Sequence, residues 1–292
     1  MNDNKTTIEF VNHASVLISF GKIGILSDPW YSKSVFHHGW RLLYENENQY
    51  INEVLDRTTH IYISHEHPDH FNPPFFLTDE VKEKIIKKRI VFLFQKTKDK
   101  RVISFLKNKG FEVQEFNKKI NKIDNLIEIE IVKHDFYDSS ISIKTPDIKI
   151  LNLNDCPLRD VGDIKKFKKK FGTFDVLLTQ FSYAAWKGGK EGKIFRENAA
   201  KEKLTDVYNQ SKILNCNTVI PFASFVYFSN KMNFYMNDSI NVPDKVCEYL
   251  IKNAVNPVIM QPGEKQVLTE LRQDKNSLEF WKNKYQFSNE NK

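Results

Sequence analysis

The chain has 292 residues, with 44 Lys or Arg against 37 Asp or Glu, so its formal net charge is +7. Its 40% apolar residues and 23 Phe can fill a large core, which excludes collagen-like and intrinsically disordered classes. The basic excess is mostly lysine scattered among acidic residues, which is typical of a solvated surface. Nucleic acid is therefore not an expected partner, although the dense lysine run at 165–170 could contact phosphates.

The first third of the chain predicts short strands. Residues 6–11, 14–20 and 23–27 are β-rich and separated by two-residue turns, which indicates an antiparallel meander. Residues 31–50 are aromatic and Asn-rich without a period, so we expect a long loop there. A buried strand is expected at 60–64.

Helices and strands alternate through the rest of the chain, with no repeat or linker. We predict helices at 80–88, 99–109, 160–170, 198–214 and 244–253. Strands are predicted at 90–94, 111–115, within 126–154, at 175–179 and at 218–220, followed by two short strands and a C-terminal helix. Two β-rich blocks that are each followed by helices favour two sheets packed face to face, with helices outside.

Two further patterns concern the cellular compartment. The first seven residues are polar, and no apolar run approaches the roughly 20 residues of a membrane span, so we expect a cytoplasmic protein without membrane contact. Cys156, Cys216 and Cys247 are widely spaced without a C-x-x-C pair. Reduced thiols are therefore expected, rather than disulfides or a cysteine zinc site.

Histidine placement is the most informative feature of the sequence. All eight histidines lie in the first 134 residues, and His65, His67 and His70 follow the predicted buried strand within six positions. Together with Asp69 they read H-x-H-x-D-H. Residues two apart at a strand end can direct their imidazoles to one point, while the Asp and the last His turn toward a second point. Imidazole and carboxylate groups bind zinc, iron or manganese, so we predict a metal site; a polar turn is the alternative.

The unbroken H-x-H-x-D-H resembles the signature of the metallo-β-lactamase superfamily. The resemblance implies an α/β fold of the αββα type, with two mixed sheets flanked by helices, as a single domain over 1–292. It also implies one or two divalent metal ions. The implied ligands are His65, His67 and His134 for the first metal, and Asp69, His70 and Asp155 for the second, with Asp69 as a catalytic proton acceptor as well.

The chain departs from the superfamily pattern at the second metal. A last histidine usually comes from a loop near the C-terminus, but no histidine follows His134, and residues 221–225 read Pro-Phe-Ala-Ser-Phe at that place. Three possibilities stay open: a weakly bound second metal, an open coordination position used by substrate, or a single-metal enzyme.

A closer resemblance comes from several short segments in order. Residues 28–30, 39–43, 62–65, 151–156, 221–223 and 261–263 are similar to the metallo-β-lactamase-like domain of the CMP-N-acetylneuraminate hydroxylases. Those enzymes hydroxylate a nucleotide-linked sugar, using iron and electrons passed through a Rieske cluster. A Rieske centre needs two Cys and two His interleaved. Here the last histidine precedes the first cysteine, so we expect no Rieske cluster in this chain.

Three other residues are candidates for supporting roles. Asp28, before Pro29, could orient a ligand histidine from behind or cap the turn. His13 is similar to a histidine in the first hairpin of lactonase-like and phospholipase-like members, which implies a substrate contact; a turn histidine is the alternative. Lys187 lies in the glycine-bearing loop 184–192 and could contact a substrate phosphate or belong to a plain surface loop.

The sequence therefore predicts a metal-dependent enzyme that acts on a small anionic, nucleotide-linked or phosphorylated sugar-type substrate. The first hypothesis is an iron-dependent hydroxylase, whose electrons would come from a separate protein or a self-sufficient diiron centre. The second is a zinc- or manganese-dependent hydrolase of a phosphoester or lactone. A nuclease and a non-catalytic metal-binding protein stay open as further alternatives.

Overall fold

The computed structural model describes residues 5–117, 120–135 and 137–286. The strands in this part of the chain are β1 (Thr7–Asn12), β2 (Ser15–Phe20), β3 (Ile23–Ser27), β4 (Trp40–Leu42), β5 (His60–Tyr62), β6 (Val91–Gln95), β7 (Glu112–Phe116), β8 (Asn121–Ile123), β9 (Ile127–Lys133), β10 (Ser139–Lys144), β11 (Lys149–Asn154), β12 (Val176–Gln180), β13 (Thr218–Phe222), β14 (Val226–Phe228), β15 (Asn256–Pro257) and β16 (Lys265–Val267). The α-helices are α1 (Asn48–Arg57), α2 (Pro73–Phe76), α3 (Asp79–Lys87), α4 (Arg101–Asn108), α5 (Val161–Phe171), α6 (Lys193–Leu214), α7 (Pro243–Lys252) and α8 (Lys275–Tyr285). Short 3-10 helices are formed by Phe234–Ser239 and Leu268–Glu270.

The chain divides into two compact units, each assembled from three segments. The first unit contains Met1–Ser32, Glu45–Asn152 and Pro262–Glu270. The second contains Lys33–Tyr44, Leu153–Gln261 and Leu271–Lys292. The single domain over 1–292 stays a prediction.

A seven-stranded mixed sheet forms one layer of the first unit, in the order β16-β1-β2-β3-β5-β6-β7. Strands β1, β2 and β3 pair antiparallel, as the short strands and tight turns predicted. Strand β16 adds antiparallel to β1, which was not predicted. Strands β3, β5, β6 and β7 pair parallel. Because parallel neighbours end at the same edge of a sheet, the residues that follow β3 and β5 come close together.

Helices α1, α3 and α4 pack on this sheet. Their apolar residues three and four apart form the buried stripes, as in Ile51, Val54 and Leu55 of α1. Strand β3 and the end of α1 approach closely at Gly24, where a Cβ atom would lie 2.1 Å from the carbonyl oxygen of Arg57. Glycine is therefore required at this contact.

A second layer of the first unit contains β8, β9, β10 and the first part of β11, all antiparallel. Ile141 and Ile143 of β10 pair with Ile131 and Ile129 of β9, so the alternating isoleucines share a buried face. The hydroxyl group of Tyr62, at the end of β5, donates a 2.8 Å hydrogen bond to the carbonyl oxygen of Ser139. This bond joins the end of β5 to the start of β10.

The second unit contains the parallel strands β12, β13 and β15, the antiparallel pair β4 and β14, and helices α5 to α8. Helix α5 begins after Asp160, whose side chain accepts a 3.0 Å hydrogen bond from the backbone N–H of Asp163. A small core cluster joins Tyr183, Phe228 and Met236 to the first half of α6.

The chain as a whole is mixed α/β, with two large mixed sheets flanked by helices, which confirms the predicted fold class. The loop expected at 31–50 was wrong in part, because β4 and the start of α1 lie within it. None of the described helices is both long and apolar enough to cross a membrane.

Candidate metal centre

The residues of the H-x-H-x-D-H motif follow β5 at the edge where β3 also ends. The backbone N–H of Asp28, directly after β3, donates a 2.9 Å hydrogen bond to the carbonyl oxygen of Tyr62. The motif then turns tightly, since the N–H of His70 donates to the carbonyl oxygen of His67 at 3.0 Å. The strand ends therefore bring Asp28 and the motif together.

The buried carboxylate of Asp28 accepts hydrogen bonds from two residues of this edge. Its Oδ1 accepts from the backbone N–H of Ser64 at 2.8 Å, and its Oδ2 accepts from the Ser64 hydroxyl at 2.8 Å. The same Oδ2 lies 3.0 Å from Nδ1 of His70. This contact orients the His70 ring so that its Nε2 faces Asp69, where a metal ion would take both groups as ligands.

His70, Asp69 and His13 form a buried cluster, with exposed fractions of 1%, 4% and 2%. The Asp69 Oδ2 atom lies 3.2 Å from Nε2 of His70 and 3.6 Å from Nε2 of His13. One potential ligand atom from each of the three residues lies within 4.8 Å of the others. His13 reaches this position from the turn between β1 and β2, where its φ is 25°.

Asp69 provides the test of whether these residues fit a metal ion. Its Oδ1 atom is buried and has no hydrogen-bond partner among the described residues. Burial raises the pKa of Asp69, but the neighbouring His70 and His13 hold it well below its ordinary value, so the carboxylate is ionised at neutral pH. A buried carboxylate with two converging imidazoles matches the ligand chemistry of zinc, iron and manganese. The residues fit.

His65 and His67 form a second convergence of imidazoles in the same unit. Nε2 of His65 lies 2.8 Å from Nδ1 of His67, and the ring centroids are 4.5 Å apart. Nδ1 of His65 lies 2.9 Å from the Ser64 hydroxyl, and its Nε2 lies 3.9 Å from Oδ1 of Asp138. The hydroxyl of Ser64 therefore contacts both Asp28 and a motif histidine.

The other predicted site residues are placed as follows. His134 follows β9, and its Nε2 lies 2.8 Å from the Ser140 hydroxyl. Burial lowers the pKa of His134 to about 4, so its imidazole is neutral at pH 7. Asp155 follows β11 in the second unit and is half-buried. Lys187, also in the second unit, lies over the Phe195 ring at 5.9 Å.

The structure shows two contacts that the sequence did not predict, one made by a histidine and one made by an aspartate. His13 was expected to touch substrate, and it lies with Asp69 and His70 as a candidate ligand. Asp138 was not considered, and it lies near His65. The available signals were an Asn-His pair in an apolar hairpin and an aspartate four positions after His134.

Solved structures with similar folds were identified over 90% of the chain. A possible metal-dependent hydrolase from Veillonella parvula has a TM-score of 0.65, 14% identity and 99% of its own chain covered. The metallo-β-lactamase fold protein YhfI from Bacillus subtilis has a TM-score of 0.59, 11% identity and 99% coverage. The chain has the metallo-β-lactamase fold. CmlA, a diiron β-hydroxylase from Streptomyces venezuelae, is also similar, with a TM-score of 0.59, 15% identity and 54% of its chain covered.

The curated proteins to which the chain is similar in sequence are cytidine monophosphate-N-acetylneuraminic acid hydroxylases. The protein from Danio rerio is 22% identical over 88% of this chain and 44% of its own length. The protein from Xenopus laevis is 24% identical over 90% of this chain and 45% of its own length. The chain thus spans less than half the length of these relatives, and no protein-family model matches it. The proteins similar to this chain in sequence or in fold include hydroxylases and a possible hydrolase, which are the two predicted enzyme classes.

Proposed function

We propose that the protein is a metal-dependent, hydroxylase-like enzyme of the metallo-β-lactamase fold that prefers iron. The observation that carries the proposal is the buried cluster of His13, Asp69 and His70, in which one carboxylate oxygen has no partner among the described residues. The similarity to hydroxylases over most of the chain supports this chemistry. The proposed substrate is a small anionic, nucleotide-linked or phosphorylated sugar.

Each residue of the centre has a proposed role. The predicted ligands are His65, His67, Asp69, His70, His134 and Asp155, and we add His13. A divalent ion held there would act as a Lewis acid and, if it is iron, would supply redox chemistry. Asp28 orients the ring of His70 through Nδ1, and Ser64 ties Asp28 to His65. The ionised Asp69 is also the proposed proton acceptor.

Hydroxylation with dioxygen would consume two electrons per turnover, which a separate electron-transfer protein would have to supply whether the two predicted ligand sets hold one iron or two. The proposal places the enzyme in the cytoplasm. Zinc- or manganese-dependent hydrolysis is the second candidate function, and the similarity to a possible metal-dependent hydrolase supports it. The identity of the bound metal distinguishes the two candidates.

The test is the metal content of untagged protein purified without oxygen and without chelators. We expect one or two iron atoms per chain in the wild type, and a loss of at least half of that iron in Asp69→Asn. The matched control is His37→Ala, because His37 is exposed and lies outside the cluster. Zinc or manganese in place of iron would favour the hydrolase. Absence of metal from the wild type would overturn both candidate functions.

A further inference from the structure

The second unit exposes several large apolar side chains to solvent. Met232, Ile194 and Trp186 are the most exposed large apolar residues in the part of the chain that the structure describes, at 83%, 74% and 70%. All three belong to the second unit. Because burial of such side chains stabilises a folded protein, a group of them left on the surface indicates a contact with a partner.

Two segments carry these residues. Residues 186–195 include the end of the glycine-bearing loop and the start of α6, and residues 229–235 follow β14. Both segments line one cavity of about 1100 Å³, the first with Lys190 and the second with Lys231. The exposed apolar residues therefore flank the same cavity, and we name the surface of 186–195 and 229–235 the apolar-basic face.

Buried contacts hold the first segment of the apolar-basic face in place. Arg196 is fully buried, and it donates hydrogen bonds to the carbonyl oxygens of Gly189 at 2.6 Å and Lys190 at 3.1 Å. The hydroxyl of Tyr235, in the second segment, donates to the carbonyl oxygen of Gly188 at 2.9 Å. The loop is thus ordered before any partner arrives, which lowers the entropic cost of binding.

The first turn of α6 places a cation inside and apolar residues outside. Arg196 pairs with Asp238, at 2.8 Å to Oδ1 and 2.6 Å to Oδ2. Ile194 and Phe195, which directly precede Arg196, are 74% and 54% exposed. An ordinary amphipathic helix buries such apolar residues and exposes the arginine. Departures from a local rule of this kind are expected at functional sites.

The cavity and its neighbour supply positive charge beside these apolar residues. The cavity of about 1100 Å³ is lined by lysines from three elements, and a neighbouring cavity of about 460 Å³ adds an arginine. Besides Lys193, the exposed cations that line the two cavities are Lys190, Lys231, Lys245 and Arg41.

Acidic residues offset only part of this charge. Lys193 lies 3.8 Å from Glu197, so it adds little to the attraction of an outside anion. Asp238 is the only carboxylate among the described residues that line the two cavities, and Arg196 already neutralises it. The exposed Glu191 is the one acidic residue within 186–195. The apolar-basic face therefore keeps an excess of positive charge.

This combination favours an anionic membrane surface over a protein partner. Lysine is depleted from the cores of protein–protein interfaces. At a membrane surface, in contrast, lysines attract anionic headgroups while exposed aromatic and aliphatic side chains enter the region below the headgroups. We expected no membrane contact because no apolar run is long enough to cross a bilayer, but a surface that lies on a bilayer needs no such run.

We propose that the apolar-basic face docks on an anionic membrane surface. Trp186, Ile194 and Met232 would enter the interfacial region of the bilayer, and Lys190 and Lys231 would contact the lipid phosphates and carboxylates. The inference goes beyond the proposed function, because it concerns attachment of the protein to a surface and involves no metal ion.

The experiment is co-sedimentation of the intact protein with vesicles of phosphatidylcholine, with and without added phosphatidylserine. We expect phosphatidylserine to raise the affinity at least tenfold, and salt to lower it. The double variant Trp186→Ser, Ile194→Ser should bind about tenfold or more weakly, because both apolar side chains leave the interface. A similar loss is expected for Lys190→Glu with Lys231→Glu, since each lysine contributes to the attraction.

The matched control is Ile251→Ser on α7. Ile251 is 65% exposed in the same unit and does not line the cavity, so its loss should leave vesicle binding unchanged. Tryptophan fluorescence gives a second readout. Trp186 is exposed whereas Trp30 and Trp281 are fully buried, so insertion of Trp186 into lipid should shift the emission to shorter wavelength.

Three outcomes would overturn this proposal. Equal binding to vesicles with and without phosphatidylserine, or binding to neither, would exclude an anionic membrane as the partner. Unchanged vesicle binding by Trp186→Ser, Ile194→Ser would show that the apolar-basic face does not make the contact. Dimerisation without lipid, if the same double variant abolishes it, would assign the face to a second copy of the chain instead.

Discussion

At the scale of single residues, Asp28 is held by several hydrogen bonds at the candidate centre. It accepts from the backbone and side chain of Ser64 and from His70, and its φ of 34° is unusual for a residue other than glycine. His13 has a φ of 25°, also in the left-handed region. Such conformations cost free energy and persist where surrounding contacts hold them, often at functional sites.

Replacement of Asp28 by Asn tests its role in orienting His70. The variant keeps the size of the side chain but loses the charge that fixes the His70 ring, so we expect metal affinity to fall about 10–100-fold. Competition with a chelator of known affinity measures the change. Asp56→Asn is the control, because that carboxylate is exposed and pairs with Lys84. Unchanged metal affinity in Asp28→Asn would show that Asp28 stabilises the turn only and does not orient His70 for metal binding.

The motif residues could be predicted from sequence because they are neighbours in one loop after one strand. The contact of His13 with Asp69 could not, because 56 positions separate them and only the pairing of β1, β2 and β3 with β5 brings the two loops together. The ligand roles of the motif residues, of His134 and of Asp155, and the substrate contact of Lys187, all stay predictions. Spacing along the chain does not encode the distance between separate loops.

At the scale of elements, helix α6 is unusual because it buries two cations, Arg196 and Lys203, two turns apart on one face. Arg196 is paired with Asp238, whereas Lys203 donates a hydrogen bond to the neutral side-chain oxygen of Gln180. Burial lowers the pKa of Lys203 to about 8. Because this amine is harder to protonate in the folded state than in the unfolded state, the free energy of unfolding depends on pH in the alkaline range.

The pH dependence follows from proton binding by Lys203. Between pH 8 and its ordinary pKa of 10.5, the unfolded chain binds more protons at this residue than the folded chain does. The free energy of unfolding should therefore rise with pH in this window, by about 1–3 kcal/mol relative to Lys203→Met. Urea unfolding at pH 7.5, 9 and 10.5 measures the difference between the two proteins.

Lys201→Met is the matched control for this effect, because Lys201 is exposed on the same helix. Its difference from the wild type should stay constant over the same pH range. A constant difference for Lys203→Met as well would show that the Lys203 amine keeps its ordinary pKa in the folded protein.

Most elements could be predicted from apolar periodicity, including β3 at its observed bounds and α5 after Asp160. The start of α6 could not, and the helix begins five residues before the predicted position. Its first turn exposes Ile194 and Phe195, at 74% and 54%, and buries Arg196. This reverses the usual amphipathic pattern, so periodicity gives no signal there. Helix α1 was missed because it starts within an Asn-rich stretch that resembles a loop.

At the scale of the whole molecule, the cysteines and the metal motif lie in different units. Cys156, Cys216 and Cys247 are all buried and all belong to the second unit, whereas residues 65–70 belong to the first. Burial raises the pKa of Cys216 and Cys247 to about 12. A thiol that is both buried and protonated reacts slowly, because the thiolate is the nucleophile.

We therefore expect the folded protein to react slowly with Ellman's reagent at pH 8, and all three thiols to react in concentrated urea. Intermediate urea concentrations should report the opening of the second unit. The release of the coloured thiolate over time measures both rates. Rapid reaction of Cys216 in the absence of urea would contradict its burial in the folded protein.

The pairing of β1 with β16 has a consequence for synthesis on the ribosome. Thr7 pairs with Val267, so the first sheet acquires its last strand only after nearly the whole chain has been translated. Contacts of such long sequence separation slow folding, and an unpaired edge strand is prone to association with other chains. Until residue 267 emerges, β1 has one exposed edge, and a nascent chain of this protein should be a natural client for chaperones that shield β-strand edges.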